Sequence, residues 1–88
     1  MREQLLNFLE YIKEEKNFSD NTVVSYKHDI ENFMDYINDM GINLKDCKPI
    51  YVEDYIKTLY ANGTTNSTIA RNVASIRCFF KYMFAKGL

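Results

Sequence analysis

Apolar side chains return at steps of three and four residues in four separate stretches of this chain, the spacing that lines one face of an α-helix. Leu5, Phe8, Leu9 and Ile12 share the first stripe and predict a helix from about Arg2 to Glu15. Val23, Tyr26, Ile30, Phe33 and Ile37 form the second, predicting a helix from Asp20 to Asp39 or Met40. Val52, Tyr55, Ile56 and Leu59 place a third helix over Tyr51 to Tyr60. In the last stretch Ile69, Val73, Ile76, Phe80 and Met83 predict a helix from Asn66 to about Lys86. The punctuation agrees with this division. Lys16-Asn17-Phe18 interrupts the first periodicity, and Ser19 is a good N-cap for the second helix. Asp20 then suits the positive end of that helix's dipole, and Gly41 is a C-terminal stop. Pro49 marks a turn or a first helical position. Asn62-Gly63-Thr64-Thr65 is a polar turn, with Asn66 or Ser67 as the expected cap of the fourth helix. No strand pattern intervenes, and connections this short make successive helices neighbours. The expected fold is all-α: a compact four-helix bundle without a sheet, one domain over residues 1–88.

Composition narrows the class. The 88 residues include seven tyrosines and six phenylalanines, enough apolar surface for one small core and too much for a disordered chain. No run of ~18 apolar residues exists, so no membrane span is expected. The N-terminal stretch carries charges inside its apolar part, unlike a signal peptide. Cys47 and Cys78 lie far apart without ligand spacing, which fits a reduced, cytoplasmic protein. The net charge is only −1, yet all twelve acids and seven of the eleven bases precede Ala61. That leaves five net negative charges before Ala61 and four positive charges after it. Such a split can give a nearly neutral domain one basic surface, or helices that pair internally.

Catalytic chemistry finds little to use. His28 is the only histidine, it sits off the apolar stripe of its helix, and no His or Cys lies near it at metal-ligand spacing. Three isolated glycines build no phosphate loop. Neither catalytic residue, metal nor cofactor is expected.

The fourth helix carries the most pointed feature. From Asn66 to Lys86 it holds Arg71, Arg77, Lys81 and Lys86 and no acid. On a helical wheel Thr68, Arg71, Asn72 and Ser75 fall opposite the apolar stripe, near the helix start. A guanidinium, an amide and two hydroxyls can reach phosphates and base edges in a DNA groove, or can equally form a solvated helix face. Thr22 and Thr68 occupy first-turn positions on two helices, where phosphate contact and simple capping both fit.

The second helix reads Ser19-x-Asn21-Thr22-x-x-x-Tyr26-x-x-Asp29-Ile30-x-x-Phe33-x-x-Tyr36. The fourth reads Ser67-Thr68-Ile69-x-Arg71-x-x-x-Ser75-Ile76-Arg77-x-Phe79-Phe80-x-Tyr82. Together, at this separation, they resemble the N-terminal core-binding domain of the tyrosine recombinases, or phage integrases, most closely the Xer-like branch. The resemblance covers essentially the whole chain. It implies a SAM-like orthogonal bundle that clamps double-stranded DNA together with a separate catalytic domain of the same parent chain and other recombinase protomers. It also implies that the second and fourth helices supply most of this domain's DNA contacts. Carried over by position, the candidates are Asn21, Thr22 and Ser25 on the second helix and Ser67, Thr68, Arg71 and Ser75 on the fourth. Asn72 joins them by the wheel. The family's catalytic set has no counterpart here, since His28 is followed by Asp-Ile-Glu and not by the His-x-x-Arg pattern. The chain thus resembles a fragment that ends before an interdomain linker. Asp29 shares the side of Thr22 and Ser25, where it would repel phosphate unless an Arg or Lys neutralises it. A helical protein-interaction module is the alternative, with Phe79 and Tyr82 as a docking patch.

Overall fold

Helix boundaries follow local chemistry closely in the computed structural model, which describes residues 2–87. Met1 and Leu88, the ends of the expected single domain, lie outside the described residues. The order is α1 (Arg2–Glu14), α2 (Asp20–Asp39), a 3-10 turn (Leu44–Asp46), α3 (Pro49–Ala61) and α4 (Asn66–Ala85). No strand occurs among the described residues.

Between α1 and α2 the chain turns at Asn17, whose φ of 55° lies in the left-handed region that asparagine tolerates. The Phe18 N–H then reaches back to the Ile12 carbonyl at 3.0 Å. Ser19 caps α2 as expected, its Oγ accepting from the Thr22 N–H at 3.2 Å. Helices α2 and α3 stop by the same device. Ile42 N–H bonds the Ile37 carbonyl and Thr64 N–H the Leu59 carbonyl, around Gly41 at φ 73° and Gly63 at φ 80°. Two boundaries differ from expectation. Pro49 takes the second of its two expected roles, as the first residue of α3, so that helix starts two residues before the Tyr51 that its stripe implied. Thr65, not Asn66 or Ser67, caps α4, because its backbone is extended (φ −66°, ψ 152°) and its Oγ1 accepts from the Thr68 N–H at 3.3 Å.

The core has two parts, and α4 serves both. Leu5, Phe8, Leu9 and Ile12 of α1 meet Ile30 and Met34 of α2 and Phe79 and Met83 of α4. Phe33 and Ile37 of α2 meet Tyr55 of α3 and Ile76 of α4 in the other part. Each part contains an edge-on aromatic pair: Phe8 with Phe79 at 5.2 Å in the first and Phe33 with Tyr55 at 5.3 Å between ring centroids in the second. A helix packed against three neighbours buries a wider arc than one stripe. Val73 and Phe80 are accordingly only half-buried, while Asn72, Ser75 and Phe79 turn inward. The docking patch of the alternative, protein-interaction reading is therefore corrected. Phe79 is 1% exposed, and half-buried Tyr82 stacks near Phe8 and Tyr11.

Candidate nucleic-acid interface

Helices α2 and α4 meet at a polar junction set into the apolar contact. Asp29, near the middle of α2, is 2% exposed and lies beside Ile30 in the helix's buried face. Arg71 of α4 grips it in a two-pronged contact, with Nε donating to Oδ2 and Nη2 to Oδ1, both at 2.9 Å. The fully buried Ser75 hydroxyl lies 3.2 Å from Oδ2 and 3.0 Å from the Asn72 carbonyl. Asn72 in turn donates from Nδ2 to the Thr68 carbonyl at 2.9 Å, a local bond within α4. The Arg71 side chain keeps 42% of its surface exposed, so the guanidinium spans from a dry carboxylate to solvent. Its hydrogen bonds to Asp29 raise its pKa further above the ordinary value.

This arrangement revises the expected site in two places. Asn72 and Ser75 do not face outward with Arg71; both are buried. Their polar groups made them look solvent-facing, but Asp29 supplies Ser75 with a polar neighbour and the helix backbone satisfies the Asn72 amide. Arg71 is paired, as the need to neutralise Asp29 anticipates, but the acid it meets is buried and not on the surface. The other candidates remain reachable. Asn21 and Ser67 are exposed, and Thr22, Ser25 and Thr68 are half-buried. The threonine hydroxyls are engaged locally, Thr22 with Ser19 at 2.9 Å and Thr68 with Thr65 at 3.0 Å. Thr22 and Ser25 precede Asp29 by about two turns and one turn of α2, and so share its side of the helix. Thr68 precedes Arg71 and Ser75 by about one and two turns of α4. The two series converge at the Asp29 contact.

Asp29 itself was readable only in part. The spacing Tyr26, Asp29, Ile30, Phe33 sets an acid at the edge of an apolar stripe, and it anticipates a neutralising base without choosing among four. Arg77 and Lys81 are exposed along the later turns of α4. Among the described residues no cluster of three His, Cys, Asp or Glu side chains could hold a metal ion. No helix there is long and apolar enough to cross a membrane.

Comparison with known proteins agrees with the motifs. The family model for the phage integrase N-terminal SAM-like domain matches residues 5–87. A tyrosine recombinase of Pseudothermotoga lettingae is 39% identical over 85 residues, covering 94% of this chain and 30% of that protein. Tyrosine recombinase XerD of Chlorobaculum tepidum is 33% identical over 87 residues, covering 99% of this chain and 29% of that protein. Tyrosine recombinase XerC of Thermodesulfovibrio yellowstonii is 30% identical over 83 residues, covering 94% and 27%. The chain thus spans less than a third of the length of these curated relatives. No solved structure gives a significant match. With four helices in place, both helix motifs present and the family model matched almost end to end, this chain belongs to the phage integrase N-terminal SAM-like family, the N-terminal domain of Xer-like tyrosine recombinases.

Proposed function

We propose that this domain binds the duplex of a recombination site through α2 and α4, and that the DNA chemistry belongs to a catalytic domain elsewhere in a cytoplasmic tyrosine recombinase. The observation that carries the reading is Arg71, held at the α2–α4 contact with its outer surface open to solvent. Around it, Asn21, Thr22 and Ser25 on α2 and Ser67 and Thr68 on α4 offer short polar groups near two helix N-termini. Backbone amides and the helix dipole favour phosphate at such positions. Asn72 and Ser75 act from beneath, as supports for α4 and for Asp29. The catalytic domain of the parent chain would complete the clamp, and other protomers would share the DNA.

Binding by this domain alone is weak in this reading, because acids dominate α2 and the net charge is −1. Each phosphate neutralised adds about 0.9 to the negative slope of log K against log salt, so affinity falls as salt rises. The test is a titration of ¹⁵N-labelled chain at low salt with a short duplex enriched from a randomised library. Amide shifts should gather at the starts of α2 and α4, and Arg71→Ala should weaken binding by about 1–3 kcal/mol if the guanidinium meets a base. Shifts confined to α3, or none, would refute the reading.

A further inference from the structure

The way Arg71 is held says more than that it is available. A guanidinium presents two separate two-donor edges, one from Nε and Nη2 and one from Nη1 and Nη2. Asp29 takes the first edge through two bonds of 2.9 Å, which fixes the plane of the group. The carboxylate is itself fixed, since it is buried on α2 and lies 3.2 Å from the buried Ser75 hydroxyl. Among the described residues nothing bonds the second edge, the side chain is 42% exposed, and the edge's geometry suits the N7 and O6 acceptors of guanine. Charge completes the picture. A cation and an anion 2.9 Å apart largely cancel at longer range, so the pair attracts distant phosphates far less than an unpaired lysine would.

We propose that Asp29 is a positioning residue that makes Arg71 an oriented, charge-compensated donor, so that Arg71 selects DNA sequence and adds little to the salt-dependent grip on phosphate. The proposal rests on the DNA-binding reading above.

The experiment measures fluorescence anisotropy of the 88-residue chain with two labelled duplexes across a salt series. One duplex is enriched from a randomised library by the wild-type chain, and the other has random sequence. Asp29→Asn should reduce discrimination between them by about five- to 150-fold, the range of one two-pronged base contact. Its binding to the random duplex should stay level or tighten, with a salt slope steeper by up to about 0.9, because a positive charge is uncovered. The double variant Asp29→Asn with Arg71→Gln, which removes both charges together, should lose the same discrimination without flattening the slope. A merely structural role for Asp29 would weaken both duplexes alike at constant slope, and that result overturns the proposal. So does a double-variant slope that flattens by about 0.9, the mark of a phosphate contact made by Arg71. If circular dichroism shows that Asp29→Asn does not fold, Ser75→Ala decides. It keeps the ion pair but frees the carboxylate on one side, and it must lose part of the discrimination at constant slope; full retention overturns the proposal. A wild-type chain that binds both duplexes equally sinks this inference alone, while one that binds neither sinks the DNA reading with it.

Discussion

Replacing Phe79 by alanine tests whether α1 is held to the bundle as described. The ring is 1% exposed, edge-on to Phe8 at 5.2 Å and beside Phe80 at 5.9 Å. Truncating a buried phenylalanine costs about 3–5 kcal/mol, through lost transfer energy and the cavity left behind. Of this, about 0.5–1.5 kcal/mol belongs to the edge-on pair. A chain of this size has ~4–13 kcal/mol of stability in all, so Phe79→Ala removes between a quarter and everything. Urea unfolding followed by circular dichroism reads the loss. With a slope of ~1.5 kcal/mol per molar, the midpoint should fall by ~2–3 M. Phe79→Leu keeps most of the volume and should give up a smaller part. Phe84→Ala is the control: its ring is 88% exposed, and the change should stay within about 0.5 kcal/mol. Pairing Phe79→Leu with Phe8→Leu isolates the ring contact as a coupling of about 0.5–1.5 kcal/mol. If Phe79→Ala unfolds no earlier than Phe84→Ala, Phe79 lies outside the core and the docking patch returns.

The two hydroxyl caps predict a matched pair of losses. Ser19→Ala and Thr65→Ala should each lower stability by about 0.5–2 kcal/mol in urea unfolding, nearly additively, since they share no hydrogen-bond partner. Burial pushes the thiols of Cys47 and Cys78 above the ordinary value of 9.0, with Lys16 and Lys81 opposing it at Cys78. Iodoacetamide should therefore label both slowly in the folded chain and faster in urea. The same raised thiols favour the folded state fully below their unfolded values, and that contribution fades as pH climbs through the folded ones. Tyr26 and Tyr55, raised above 10.0 mainly by burial, extend the loss further into alkali. Thermal melts should record a falling midpoint across this alkaline range.

What the sequence could say depended on how local the deciding contact was. The α1 stripe, the Ser19 cap and the Gly41 stop are each settled within one or two turns, and all stand as expected. The α4 cap was less legible, because Thr65, Asn66, Ser67 and Thr68 can all accept a backbone N–H and only the incoming turn chooses. Asn72 and Ser75 were misplaced for a different reason. A wheel gives only angles around one helix, so polar side chains beside its stripe read as solvent-facing, whereas the groups around Ser75 include an acid 46 residues earlier in the chain. For Arg71 the sequence anticipates a base against Asp29 but does not choose which one, because the two partners lie 42 residues apart. The candidate site was thus legible as a set of residue types and positions, and illegible as a set of exposures.

The buried acid also explains why α2 and α4 meet in one way. Ile30, Phe33, Met34, Ile76 and Phe79 are all apolar, and apolar surfaces of similar size can pack in more than one rotation. Asp29 tolerates no such freedom, because a carboxylate turned away from its partners would be buried without hydrogen bonds. Only one rotation of each helix brings Asp29 under both Arg71 and Ser75. A pair of this kind contributes little net stability, since desolvation offsets most of the attraction. Its effect is on alignment. One polar contact fixes how the start of α2 stands relative to the start of α4, and with it the spacing of every short polar group that those two turns carry.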